Sequence, residues 1–171
     1  MPRAHPFRYV ALRYFNVAGA DPMRRTGQST RGATHLIKVA CEVACGKRPR
    51  FQMFGNDYDT PDGTCVRDFI HVSDLADAHV AALDHLVRGG DSQVINCGYG
   101  KGYSVRQVLD TLEAVTGRPL PTDIGPRRPG DAVSVYTTSD RLQSVLGWKP
   151  RLDDLTEIVR SAYEWERRMT A

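Results

Sequence analysis

The sequence predicts an α/β fold in which short strands alternate with helices. Two observations carry this prediction. Short runs rich in apolar residues, at 9–15, 51–54, 68–72 and 94–97, have the length of strands. Longer stretches between and after them repeat their apolar residues at helical spacing. The length of 171 residues suits one domain, or one domain plus a piece of another.

The first strand is expected at residues 9–15, which are apolar almost without a break. Such a run is typical of a strand buried on both faces of a parallel sheet. Residues 16–22 should break it, and residues 23–33, rich in Arg, Thr, Ser and Gly, should form a mobile loop. A helix follows, with Thr34 as its predicted N-cap and Gly46 at its end.

Four more helices are predicted. Ser73 is a suitable N-cap for the next one, and Ser104 with Gln107 forms a capping box for the one after. A short helix over 140–146 and a final helix from about Asp153 complete the order. The connection 117–133 is rich in Pro and Gly and is expected to be a loop.

The composition excludes several classes of function. The net charge of +3, with both signs interspersed, is too small to indicate a nucleic-acid partner. No apolar stretch could span a membrane, and the first residues lack the apolar segment of a signal peptide. The cysteines lack C-x-x-C spacing, which predicts reduced thiols, no metal site and a cytoplasmic location. They are Cys41, Cys45, Cys65 and Cys97.

The most informative motif covers residues 54–72. Its first half is a polar loop of Gly, Asp and Pro, and its second half is an alternating strand entered through Arg67. A guanidinium fixed at a strand end matches the oxygens of a phosphate, because its donors form a planar fork. Arg128 lies between Pro126 and Pro129, which restrict the backbone, and Asp131 follows. Arg67 and Arg128 together could clamp a diphosphate; alternatively, Arg128 and Asp131 form an ordinary surface pair.

Two further polar residues are candidates for ligand contacts. Asn16 follows the first strand, and open α/β sheets bind ligands beyond the carboxyl ends of their strands. An asparagine that merely forms a turn is the alternative. His35 could be a lone catalytic base, but a helix-start histidine close to a ligand is the interpretation we prefer.

The glycine-rich run 98–102 imitates a dinucleotide-binding turn, because it follows a strand and precedes a helix. Its spacing is G-x-G-x-G instead of G-x-G-x-x-G. The capping box at Ser104 already serves the N-terminus of the next helix, which leaves fewer N–H groups for a pyrophosphate. We therefore predict a structural turn.

Residues 54–79 and 126–131 closely resemble segments of UDP-glucose 4-epimerases, which are NAD-dependent extended short-chain dehydrogenase/reductases. The likeness covers essentially the whole chain. It implies an α/β fold that is the C-terminal substrate-binding lobe of an extended NAD(P)-binding Rossmann fold, with the N-terminal Rossmann strands missing. Residues 7–16 would form the last part of the Rossmann sheet and residues 34–171 the substrate lobe.

The resemblance implies an isomerase of galactose metabolism that interconverts UDP-glucose and UDP-galactose through a bound NAD. In this family the NAD fingerprint and a catalytic Tyr-x-x-x-Lys pair belong to the N-terminal domain. No lysine of this chain follows a tyrosine by four residues. We therefore expect no catalytic residue here, NAD held mainly by the missing domain, and no epimerisation by the chain alone. The chain is expected to be a C-terminal piece, either a truncation or a wrongly assigned start.

Carried over by motif, the resemblance also implies a set of contacts. Phe15 would lie against the nicotinamide end of NAD, and Asn16 would contact the sugar diphosphate. His35 and Leu36 fall in a segment that touches a phosphate; the family often has Asn-Leu there, so the histidine departs from the pattern.

The remaining implied contacts concern the nucleotide and the sugar. Gln52, Met53 and Phe54 would meet the uracil, largely through backbone groups. Arg67 and Arg128 would bind the diphosphate. The resemblance further assigns the ribose to Asp131 and the hexose to Val135, where many members have an aromatic residue.

Three interpretations follow. The first is a fragment of a UDP-glucose 4-epimerase that carries the UDP-sugar-binding half. The second is a stand-alone UDP-sugar-binding module without catalysis, and the third is a related enzyme such as a pentose 4-epimerase. Members of the family are usually homodimers, but the dimer helices lie largely in the missing domain, so we do not expect this chain to dimerise.

Overall fold

A computed structural model describes residues 7–170 as five helices and nine short strands. The strands are β1 (Val10–Tyr14), β2 (Asn16–Ala18), β3 (Phe51–Phe54), β4 (Val66–Arg67), β5 (Phe69–His71), β6 (Gln93–Cys97), β7 (Tyr103–Ser104), β8 (Thr122–Gly125) and β9 (Ser134–Val135). The helices are α1 (Leu36–Ala44), α2 (Val72–Val87), α3 (Val105–Thr116), α4 (Asp140–Leu146) and α5 (Leu155–Arg168). The alternation of strands and helices matches the predicted α/β class.

The strands pair mainly in parallel. β1 pairs with β6, β2 with β5 and β3 with β8, each in a two-stranded parallel sheet. β4 lies at the centre of a three-stranded sheet, antiparallel to β7 and parallel to β9. The pairing of β3 with β8 joins Phe51 to Thr122, and it therefore brings two distant segments of the chain side by side.

Two apolar clusters hold the elements together. The larger one lies among α1, α3, α5 and β3, where Met53, Leu112 and Ile158 are almost completely buried. The smaller one includes Ile95 of β6 and Leu142 of α4. Burying a large aliphatic side chain contributes about 1.5–3 kcal/mol, so each buried member of these clusters stabilises the fold.

Helix termini follow the predicted chemistry with small shifts. Ser104 and Gln107 form the expected capping box at the start of α3. The N-caps of α1 and α2 are His35 and His71, one residue after Thr34 and two before Ser73. At α2 the His71 imidazole accepts from the backbone N–H of Ser73. Ser73, the predicted N-cap, is therefore the donor of the capping hydrogen bond.

Three expectations about strands were wrong. β1 is only half-buried, and Tyr14 is 52% exposed; within residues 7–170 the strand pairs with β6 and packs mainly against α2. Residues 16–18 do not simply end the first strand but form β2 against β5. The loop expected at 117–133 contains β8, which forms by pairing with β3.

Two features of the chain concern its chemistry. The four cysteines carry free thiols, and burial raises the pKa of the Cys97 thiol to about 12. Within residues 7–170, no helix is both long and apolar enough to cross a membrane, and no cluster of His, Cys, Asp and Glu could hold a metal ion.

Candidate functional site

An open cavity of about 500 Å³ lies between the start of α1, the strand β3 and the β4–β5 segment. This volume is within the range of about 300–1,000 Å³ typical of small-molecule sites. Its lining includes nine of the ten residues predicted to contact a sugar nucleotide. They are Asn16, His35, Leu36, Gln52, Met53, Phe54, Arg67, Arg128 and Asp131.

Arg67 reaches the cavity from β4, between its partners β7 and β9. Its guanidinium donates one hydrogen bond to the carbonyl oxygen of Val66 (2.8 Å) and forms no ion pair within residues 7–170. A guanidinium carries five N–H donors, so most of its donors remain free for a ligand anion.

Arg128 approaches the cavity from the loop after β8. Its Nε donates to the Asp131 carboxylate at 3.0 Å, and its guanidinium carbon lies 4.6 Å from the ring centroid of Phe54. The predicted surface pair of Arg128 and Asp131 is therefore present. The pair lies inside the cavity, where its remaining N–H donors can still meet an anion.

The strand β3 forms one wall of the cavity. Its side chains alternate, so that Phe51 and Met53 are buried in the core whereas Gln52 and Phe54 are exposed. The Gln52 amide donates weakly to the Asp123 carbonyl oxygen at 3.4 Å. The wall thus offers strand backbone and the exposed side chains of Gln52 and Phe54 to a ligand.

Asn16, His35 and Leu36 line the opposite side. The Asn16 amide nitrogen donates to the carbonyl oxygen of Asp68 (3.1 Å), which leaves the amide oxygen as an acceptor. Nδ1 of His35 lies 3.0 Å from the Gln28 amide nitrogen. When that amide donates to Nδ1, Nε2 carries the proton and can donate to a ligand.

Two predicted contact residues lie outside the cavity lining. Val135 stands opposite Arg67 in the β4–β9 register and is 37% exposed. Phe15 is half-buried in the connection between β1 and β2.

Sequence reasoning missed two arginines of the lining. Arg48 donates to Glu42 (2.5 Å), and Arg50 donates to Asp123 (2.7 Å). Both precede β3, whose path along the cavity brings them to its rim. The basic run before the strand was the available signal, but only the fold shows which of its members face the cavity.

The glycine-rich turn at 98–102 holds an acidic side chain of the protein itself. The buried carboxylate of Asp68 accepts from the backbone N–H groups of Tyr99 and Gly100, each at 3.2 Å. Burial raises the pKa of this carboxyl group, although the N–H donors partly offset that effect. The turn is structural, as predicted, and does not fit the pyrophosphate of NAD because Asp68 takes its donors.

A comparison with protein families identifies the chain's relatives. The model of the NAD dependent epimerase/dehydratase family matches residues 1–98, which is more than half of the chain. The chain belongs to this family. Solved UDP-glucose 4-epimerases superpose on the chain. The predicted fold class, the C-terminal lobe of an extended Rossmann fold, is therefore confirmed.

Curated and solved relatives match nearly the whole length of the chain. A UDP-glucose 4-epimerase of Azospirillum brasilense is 62% identical over 164 residues, which are 96% of this chain and 47% of that protein. The structure of a Bifidobacterium longum UDP-glucose 4-epimerase in complex with NAD+ and UDP has a TM-score of 0.90 and 40% identity. It matches 97% of this chain and 50% of its own length.

A third relative was solved with a sugar nucleotide bound. The Stenotrophomonas maltophila UDP-glucose-4-epimerase, solved with NAD and formylated UDP-arabinopyranose, has a TM-score of 0.93 and 39% identity. The match includes 99% of this chain and 50% of that one. This epimerase/dehydratase chain therefore spans about half the length of the relatives it matches.

Proposed function

We propose that the chain supplies the UDP-sugar-binding half of an NAD-dependent UDP-glucose 4-epimerase. The observation that carries the proposal is the convergence of Arg67 and Arg128 on one cavity beside the exposed face of β3. Two guanidiniums beside the β3 wall suit a diphosphate joined to a planar base. The high identity to UDP-glucose 4-epimerases supports the same assignment.

Binding and orientation are the tasks of this chain's residues. Arg67 and Arg128 neutralise the diphosphate, Asn16 and His35 offer further donors and acceptors, and Asp131 accepts from the ribose. Gln52, Met53 and Phe54 receive the uracil through the β3 backbone, Leu36 closes the apolar side, and Val135 faces the sugar. A fixed diphosphate holds the hexose at a defined place, which is how positioning lowers a reaction barrier.

The redox chemistry of the proposed reaction belongs to NAD, which removes and returns a hydride when bound. Within residues 7–170 the glycine-rich turn does not fit that cofactor, so no residue here is assigned to the hydride step. We assign Phe15 to the edge of the nicotinamide site, residues 7–16 to the last part of a Rossmann sheet and residues 34–171 to the substrate lobe. The chain alone is expected to bind UDP-sugars without epimerising them.

Calorimetric titration of the purified chain tests the proposal. UDP and UDP-glucose should bind, uridine should bind more weakly, and dTDP-glucose should bind poorly. Replacing Arg67 or Arg128 by glutamine should weaken UDP binding by about tenfold or more, since each removes a charge-assisted hydrogen bond. The matched control is Arg160→Gln, an exposed arginine of α5 paired with Glu157, which should leave UDP affinity unchanged.

Two outcomes contradict the proposal. A chain that binds uridine as tightly as UDP has no diphosphate site. A chain that turns over UDP-galactose with added NAD carries catalytic groups that we have not assigned, and this result would refute the expected inactivity.

A further inference from the structure

Arg127 and Arg128 are bound in the same way to two aromatic residues, Tyr58 in the loop after β3 and Phe54 at the end of β3. The guanidinium of Arg127 lies 4.3 Å from the ring centroid of Tyr58, and that of Arg128 lies 4.6 Å from the ring centroid of Phe54. Each guanidinium also donates through Nε to a carboxylate. The Arg127 acceptor is Asp57, at 2.7 Å.

Only one of these two arginines belongs to the cavity. Arg128 lines it, whereas Arg127 is directed towards Asp57 and Tyr58, neither of which lines it. The Arg127 guanidinium also donates to the backbone carbonyl oxygen of Asp57. The side-chain hydrogen bond from Arg127 lowers the pKa of the Asp57 carboxyl group, so the carboxylate and the guanidinium form an ion pair outside the cavity. We call the group of Asp57, Tyr58 and Arg127 the outer clasp.

Local backbone geometry is adapted to the outer clasp. The β3–β8 register sets Phe54 opposite Gly125, and the Gly55 amide continues the ladder by donating to the Gly125 carbonyl oxygen at 2.9 Å. A Cβ atom on Gly55 would lie 2.6 Å from the Tyr58 ring and 2.8 Å from Cγ of Arg127. Gly55 also has φ +80°, which disfavours other residues. A glycine here lets the two loops approach each other.

We propose that Arg127 is a positioning residue: through the outer clasp it fixes the loop that carries Arg128, and it thereby sets the affinity of the cavity for a diphosphate. The proposal rests on the proposed function, because it concerns the same site. Arg128 follows Arg127 directly, and rigid stacking of one guanidinium limits the orientations open to the next. A donor held in place before binding loses less conformational freedom when the anion arrives.

Asp57→Ala distinguishes this role from a simple effect of charge. Asp57 is 69% exposed at its side chain, so the substitution should leave folding intact. Removing a carboxylate near the cavity raises the positive potential, and a pure field effect therefore predicts tighter UDP binding. Loss of the outer clasp predicts the opposite, a UDP dissociation constant raised about fivefold, since a charge-assisted hydrogen bond is weakened but not removed.

Two comparisons sharpen the experiment. Uridine affinity should stay unchanged in Asp57→Ala, because the outer clasp acts on the diphosphate alone. Arg127→Gln should reproduce the loss of UDP affinity, whereas Glu157→Ala, which breaks the exposed pair with Arg160 on α5, should change nothing. Unchanged or tighter UDP binding by Asp57→Ala overturns the proposal, and so does an equal loss for UDP and uridine.

A measurement without ligand separates this proposal from the proposed function. Nuclear magnetic relaxation of the Arg128 Nε–H group reports how rigidly that side chain is held. Asp57→Ala should lower its order parameter while that of Arg160 stays the same; an unchanged Arg128 value refutes the positioning role. Failure of the unmodified chain to bind UDP would instead refute the proposed function, and the relaxation result would still decide the role of Arg127.

Discussion

Asp68 fills the turn that begins at Gly98. An added Cβ atom on Gly98 would lie 2.5 Å from Oδ2 of Asp68, closer than real Cβ contacts. The missing side chain therefore makes room for a buried carboxylate, which also accepts from the Gly100 amide. The backbone N–H groups of a glycine-rich turn can hold an anion, and here they donate to an acidic side chain of the protein itself.

We expect Gly98→Ala to destabilise the protein by about 1–3 kcal/mol, the usual cost of forcing extra atoms into a packed site. Urea unfolding measures this change. The control is Gly32→Ala, where nothing lies within 4 Å and only the backbone conformation at φ +64° is disfavoured. If Gly98→Ala costs no more than Gly32→Ala, the contact with Asp68 is not tight.

Glu166→Gln should lower the free energy of unfolding by about 3 kcal/mol at neutral pH, because Lys47 would lose its carboxylate partner and Lys38 would keep only Glu42, at 3.4 Å. Glu166 is almost completely buried and accepts from Lys38 and, at 2.6 Å, from Lys47. Glu164, another acidic residue of α5, is 34% exposed at its side chain and pairs with the exposed Arg24. Glu164→Gln should cost less than about 1 kcal/mol, as surface pairs do.

The stabilisation by Glu166 should depend on pH. Burial favours the neutral acid, but hydrogen bonds from Lys38 and Lys47 outweigh it and lower the pKa below the ordinary 4.5. A lowered pKa means that the contribution is complete above about pH 4.5 and is lost as the pH falls towards the folded-state pKa. The difference between the native protein and Glu166→Gln should therefore shrink below pH 4.5. A constant difference from pH 7 to pH 3 would contradict this assignment.

Tyr99→Phe should destabilise the protein by about 1–3 kcal/mol, because it leaves buried polar groups without a partner. The Tyr99 hydroxyl donates to the Asp74 carboxylate at 2.6 Å and accepts from the His71 amide at 3.1 Å. Thermal unfolding measures the loss. Tyr136→Phe, at a side chain 56% exposed, is the matched control and should be neutral within about 0.5 kcal/mol.

Arg67→Lys should weaken UDP binding by about tenfold although the charge is kept. An ammonium is a point donor and cannot match a phosphate with a planar fork. Competition calorimetry with UDP and uridine would show the loss for UDP alone. Equal affinity of the lysine variant would mean that Arg67 acts only through its charge.

Helix positions could be predicted from the sequence because their signals are local. Ser104 and Gln107 form a capping box at the start of α3, and Gly147 directly follows α4. Each signal therefore lies within a few residues of the helix end that it marks. The exact N-cap of α2 was harder to predict, since it is His71 and not the expected Ser73. An imidazole can accept from an amide, but it is not among the favoured N-cap residues.

Strands could be predicted less well because pairing depends on distant residues. β8 lies between Pro121 and Pro126 in a stretch that resembles a loop, and it becomes a strand only beside β3. The residues of the cavity also divide into those with a local sequence signal and those placed by contacts between distant segments. Arg67 and Arg128 could be predicted from motifs, whereas Arg48, Arg50 and the outer clasp required the fold, since their roles depend on contacts between separate segments.

The pairing of β3 with β8 also has a consequence for refolding. Phe54 and Gly125 are neighbours in the sheet but distant in sequence, and contacts of this kind form slowly because a long loop must close first. The cavity wall and the loop carrying Arg128 should thus reach their native structure together, late in the folding reaction. In a stopped-flow refolding experiment, competence to capture UDP should appear with the slowest major phase, after the helical signal has already been recovered.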